Sequence, residues 1–247
     1  MPTLKEVQNK ISGVKKTKQI TKAMNMVAAS RLRGAQTGME EFRPYAGKFS
    51  EVLGSLAERA GEEAANPLLV QKEEAKSVHL ILCTSDRGLC GGFNLNLIES
   101  AEKFRKEKTA QDMNVSFTAF GKKGRDWMRK SGFQIENEYL GVVGSSFSFN
   151  VASNAGKKLI DGFLDGTYDE VYMIYSEFLG MSKQVPVLKQ LLPVPPIETE
   201  EEADVGAYMP EHICEPSAEE LLDDLLPRNV YVQLFSALLE TSTSEHA

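Results

Sequence analysis

Residues 84–94 read TSDRGLCGGFN and follow the apolar run Val78-His79-Leu80-Ile81-Leu82-Cys83. A glycine-rich loop between a buried strand and a helix is where α/β proteins hold phosphates, because backbone N–H groups converge there. A P-loop, however, needs G-x-x-x-x-G-K-[ST], whose lysine and hydroxyl reach the terminal phosphate and magnesium. Here Gly88, Gly91 and Gly92 lead into Phe93-Asn94, and the spacing also misses the dinucleotide fingerprint G-x-G-x-x-G. A later turn, Gly121-Lys122-Lys123-Gly124, fits neither pattern. The glycines read as a tight strand-to-helix turn.

Other chemistries fare no better. Of the three histidines, His79 alternates within an apolar strand and reads as a packed residue, while His212 and His246 fall in a loop and a terminal helix. Neither a G-x-S-x-G elbow nor H-E-x-x-H occurs. Cys90 lies near Arg87, which would favour a thiolate, but no histidine is close in sequence to serve as its base. Asp86 and Arg87 form an adjacent opposite-charge pair of the kind that is structural or meets a partner. No catalytic constellation emerges, and no cofactor or metal is expected.

The chain has 247 residues and a net charge of −7, which weighs against nucleic acid as main partner. The three cysteines lack C-x-x-C spacing, so neither a disulfide framework nor a zinc site is expected. No window approaches the ~18 apolar residues of a membrane span, and the N-terminus has no apolar signal core. A reducing cytoplasm fits this pattern. Charge is unevenly placed: Lys5, Lys10, Lys15, Lys16, Lys18, Lys22, Arg31 and Arg33 face only Glu6, whereas residues 198–224 are acidic. Such asymmetry suggests a partner for the basic end.

The elements that position these residues fall into distinct regions. Residues 1–57 read as one long helix, with apolar heptad positions at Leu4, Val7, Ile11 and Val14, then at Ala28, Leu32, Ala35, Met39, Phe42, Ala46, Phe49, Leu53 and Leu56. Between them Lys18, Thr21 and Asn25 occupy the seam, with Ile20, Met24 and Val27 beside it. At ~1.5 Å per residue the helix spans about 80 Å, more than a globular core of this size can cover. Its stripe needs another long helix. Pro44 should bend it slightly.

Residues 58–76 read as a linker and 77–195 as an α/β domain. Strands are expected at Val78–Thr84, Val115–Phe120 and Val171–Tyr175, with a fourth in Val185–Leu192. Helices are expected at Asn94–Lys106, Lys123–Lys130 and Asn150–Leu164, so the sheet should be mostly parallel and Rossmann-like. Residues 196–216 form an acidic loop. A last helix should start at the N-cap Ser217, carry Leu221, Leu225, Val232, Phe235 and Leu239, and be interrupted early by Pro227. The sequence stops at Ala247 as though mid-helix.

The stretches QITKAMNMVAASR at 19–31, TSDRGLCGG at 84–92 and SKQVPVLKQLLPVP at 182–195 resemble the gamma subunit of the rotary ATP synthase. The order of long helix, α/β domain and returning helix agrees, and the resemblance spans essentially the whole chain. It implies an antiparallel coiled coil of the terminal helices inside a ring of three alpha and three beta subunits. It further implies that the α/β domain stands at the foot with the epsilon subunit, on the membrane c-ring. In that family proton flow turns the ring, and the asymmetric shaft drives the beta subunits through their states. ATP chemistry would belong to beta and not to this chain.

By the same resemblance, Lys22, Met24, Arg31 and Arg33 would meet acidic loops of the beta subunits. Asp86, Arg87 and Cys90 would sit on a loop facing the lower part of the catalytic ring. Cys214 and Glu215, where the family often has an aromatic before Glu-Pro, would lie on the ring side. Family members continue past Ala247, so the sequence is expected to lack the end of the C-terminal helix. The absence of a paired-cysteine insertion favours a bacterial type, peripheral on the cytoplasmic face of the plasma membrane. The alternative from residue patterns alone is a small Rossmann-like nucleotide-binding protein with helical extensions.

Overall fold

The computed structural model describes residues 3–60, 66–72, 74–196 and 217–247. Helix α1 (Leu4–Ala60) is continuous for 57 residues and passes through Pro44. The α/β domain follows as β1 (Ser77–Cys83), α2 (Phe93–Thr109), β2 (Asn114–Phe120), α3 (Lys122–Lys130), β3 (Ile135–Tyr139), α4 (Phe149–Leu164), β4 (Glu170–Gly180) and β5 (Lys183–Leu192), before α5 (Ala218–His246) returns. The strands form one sheet in the order β3-β2-β1-β4-β5. All neighbours are parallel except β4 and β5.

Strand alternation divides the core into two layers. Val78, Leu80 and Leu82 of β1 face α2 and α3, in a cluster with Leu97, Ala101, Phe104, Phe117 and Met128. Ile81 and Cys83 point the other way, into a larger cluster with α4, α5 and the end of α1. This is the period-two pattern of a strand buried on both faces. It also accounts for Cys83, whose thiol burial pushes up to about 12.

Helix α5 lies between α1 and the sheet, so it is buried around most of its circumference. Of the expected stripe, Val232 is buried while Leu221, Leu225, Phe235 and Leu239 are only partly buried, and Leu222, Leu226, Val230, Leu234 and Leu238 form the centre. The two long helices run antiparallel: Phe42 meets Phe235 edge-on at 4.8 Å between ring centroids, while Arg43 pairs with Glu240. Leu53 and Leu56 share the larger core with Leu222 and Leu226.

One sequence expectation needs correction, and one strand was not foreseen. Pro227 does not interrupt α5, which runs through it unbroken. The missing N–H costs one intrahelical bond, but buried Leu226 and Val230 on either side hold the helix in place. Strand β3 was not expected, because IENEY alternates half-buried Ile135, Asn137 and Tyr139 with exposed Glu136 and Glu138 at the sheet edge. The expected Val185–Leu192 strand lies within β5 and runs antiparallel to β4, so the sheet is mostly parallel as expected. Ser217 caps α5 as expected, its Oγ accepting from Glu220 N at 3.1 Å. Among the described residues no helix is long and apolar enough to cross a membrane.

Candidate functional site

The glycine loop leaves β1 beside β4, where the order of strand addition reverses, the position at which open α/β sheets commonly bind ligands. Its base is fixed by Thr84, which is buried. Thr84 N donates to the Phe120 carbonyl at 2.7 Å, and Thr84 Oγ1 accepts from Gly124 N at 2.8 Å. Gly121, at φ 94°, lets the start of α3 approach this closely; a Cβ there would collide with the Thr84 carbonyl.

The loop's own polar side chains close it. Asn94, in the first turn of α2, donates from Nδ2 to Cys90 Sγ at 3.0 Å, and its Oδ1 accepts from Ser85 N at 3.0 Å. Ser85 Oγ donates to the Arg87 carbonyl at 2.6 Å. Asp86 turns inward and accepts from Lys122 N at 3.0 Å and Gly141 N at 2.8 Å. Arg87 Nη2 donates to the Gly144 carbonyl at 3.2 Å. The loop is thus pinned to α2, α3 and the segment after β3. Its crest is Leu89, which at φ 65° is 91 % exposed. An apolar side chain held outward by so many hydrogen bonds suits contact with a protein surface better than a phosphate cradle.

A groove of about 1060 Å³ separates this crest from α1, and is lined by Met24, Val27 and Arg31 on one side and Arg87 to Gly92 on the other. Four of the expected contact residues, Met24, Arg31, Arg87 and Cys90, therefore share one groove. Lys22 and Arg33 are exposed on α1 but do not line it, and Asp86 serves the loop's internal bonding. Cys214 and Glu215 lie outside the described residues, as does His212. His79 is the packed residue expected, its ring nitrogens 2.7 Å from Ser116 Oγ and 2.8 Å from Thr118 Oγ1. Burial pushes its pKa down to about 3.

Sequence reasoning missed Glu245. Its carboxyl lies against Gly144 and also lines the groove, and one carboxylate oxygen is buried without a partner. Burial, opposed by Arg87 and reinforced by Asp86, pushes its pKa up to about 7. Nothing in the sequence around a helical glutamate signals such an environment. Among the described residues no group of His, Cys, Asp and Glu is arranged to hold a metal ion.

The chain is similar to known proteins along its length. The family described as ATP synthase matches residues 3–247. The ATP synthase gamma chain of Desulfosudis oleivorans is 65 % identical, over all of this chain and 84 % of that protein. That of Desulforapulum autotrophicum is 60 % identical with the same coverage. The fold is similar to a chain in the central stalk/c-ring structure of the Tetrahymena thermophila mitochondrial ATP synthase. That similarity has a TM-score of 0.64 at 22 % identity and covers 92 % of this chain and 94 % of the other. With identity this high along its whole length, the chain belongs to the ATP synthase gamma chain family.

Proposed function

We propose that the chain is the rotor shaft of a proton-translocating ATP synthase, a subunit that transmits torque and holds no catalytic site. The observation that carries this reading is the reach of α1 beyond the α/β domain. From Leu4 to Val27 its apolar residues are exposed, Leu4 at 76 % and Val14 at 64 %, while its basic residues stand on the same free segment. The apolar stripe of such a helix calls for another long helix against it, and its basic face for a partner around that pair. A ring of alpha and beta subunits provides one.

In this reading residues 77–195 form the foot, against the epsilon subunit and the c-ring, and residues 1–57 and 217–247 form the shaft. The ring side would include Cys214 and Glu215. Met24, Arg31, Arg87 and Cys90 present one face to the beta subunits, with Lys22 and Arg33 adjoining and Asp86 holding the loop in shape. Exposed ion pairs contribute only ~0–1 kcal/mol each, so the basic helix guides rotation as a field and does not latch at one angle. The complex would sit on the cytoplasmic face of the bacterial plasma membrane.

The test is coexpression with the same organism's alpha and beta subunits, size-exclusion chromatography and an ATP hydrolysis assay. A stoichiometric complex whose hydrolysis depends on this chain is expected. Failure to associate, together with nucleotide binding by the chain alone, would overturn the reading.

A further inference from the structure

β4 outruns its neighbour. It pairs with β1 only as far as Leu82↔Ile174, yet continues beside β5 to Gly180. Beyond Ile174 one edge of β4 has no strand beside it, and buried backbone groups need partners. Helix α5 supplies them with side chains. Ser176 N donates to Thr241 Oγ1 at 3.3 Å, Ser244 Oγ donates to the Ser176 carbonyl at 3.2 Å, and Phe178 N donates to Glu240 Oε2 at 2.8 Å.

Glu240 does more than complete this edge. Its other oxygen, Oε1, accepts from Arg43 Nε at 3.0 Å and Arg43 Nη2 at 2.7 Å, and Nη2 also donates to the Phe178 carbonyl at 3.3 Å. Three elements, α1, α5 and β4, meet at one carboxylate that is only 7 % exposed. Glutamate is rarely buried to this degree unless paired. Beside it Leu32, Met39, Phe178 and Leu239 form a small apolar cluster separate from the two main cores.

Apolar packing between α5 and the sheet is non-directional and tolerates small rotations. Charge-assisted hydrogen bonds, by contrast, hold their partners at defined angles. We propose that Glu240 is the positioning residue that fixes the α/β domain on the helix pair, so that torque applied to the domain reaches α1 without slack. Its consequence for coupling rests on the shaft reading above, while the junction itself rests on the hydrogen bonds alone.

The experiment uses the assembled synthase, with the full-length chain, in inside-out membrane vesicles. The readout is proton pumping per ATP hydrolysed. Glu240→Ala should lower this ratio by about threefold or more, within the range that substitutions along a coupling network produce. Val230→Ala, a packing change on the same helix, should lower thermal stability and leave the ratio unchanged. Arg43→Met removes only the α1 arm at a half-exposed position; it covers the case in which Glu240→Ala fails to assemble, and should also lower the ratio.

An unchanged ratio in Glu240→Ala or Arg43→Met would overturn the proposal, as would an equal loss in Val230→Ala. Vesicles lacking the chain keep the two ideas apart. If they stay coupled, the shaft reading fails; if they lose coupling while Glu240→Ala keeps it, only the role of Glu240 fails.

Discussion

His79→Gln should alter the acid stability of the chain more than its stability at neutral pH. The wild-type ring is buried on β1 between Ser116 and Thr118, and tilted against Tyr168 at 4.2 Å between centroids. Burial holds its pKa near 3, whereas an unfolded histidine titrates near 6.5. Between these values the unfolded chain binds a proton that the folded chain refuses. Stability is therefore complete above about pH 6.5 and falls as pH drops towards 3. At pH 4 the loss amounts to about 3 kcal/mol, from RT ln(1 + 10^2.5) for the unfolded state set against almost nothing for the folded one.

Glutamine presents a donor and an acceptor at a similar spacing and does not titrate in this range. Urea unfolding at pH 7 and pH 4 measures the difference. With slopes of roughly 2–3 kcal/mol/M, the wild-type midpoint should fall by about 1 M more than that of the variant. Other acid-sensitive groups are common to both proteins and cancel. Equal midpoint shifts would refute the reasoning, because they would mean that His79 is protonated in the folded state without penalty.

Glu245 should behave in the opposite sense. Its folded pKa is raised to about 7, so stability falls as pH rises from about 4.5 to 7, and Glu245→Gln should gain about 1–2 kcal/mol at pH 8 after allowance for partial solvent screening. Thermal melts at pH 5 and 8 read this, and an equal gain at both would count against it. Gly121→Ala, which meets the Thr84 carbonyl at φ 94°, should cost about 2–5 kcal/mol in chemical unfolding. Gly91→Ala, at φ 55° in open space, should cost only about 1 kcal/mol; similar losses at the two positions would contradict the packing assigned to the loop. Reversing Lys22, Arg31 and Arg33 together should leave the helical circular dichroism intact and reduce ATP synthesis by assembled complexes. Unchanged synthesis would remove these residues from the contact surface.

The elements whose signals are local were legible in the sequence. The apolar heptads of α1, the alternation of β1 and the Ser217 cap each depend on residues close together in the chain. β3 was hidden because an edge strand with one wet face carries Glu136 and Glu138 where a central strand would carry apolar residues. The full length of β4 was hidden because its last residues are completed by a helix and not by a second neighbouring strand. Glu240 could not be found for the same reason: its partner Arg43 is 197 positions away, and a lone glutamate within a helix reads as solvated. The groove was half legible. The motif supplied the loop and α1 supplied the basic face, but only the fold shows that Met24 and Arg31 stand opposite Arg87 and Cys90.

The most direct test of the shaft reading watches the chain turn. A fluorescent filament would be attached through Gln111→Cys, on the exposed turn after α2, with the alpha and beta subunits of the assembled complex fixed to a surface. On addition of ATP the filament should rotate continuously in one direction, and stop when ATP is exhausted. A filament that stays fixed while the same complexes hydrolyse ATP would contradict the account.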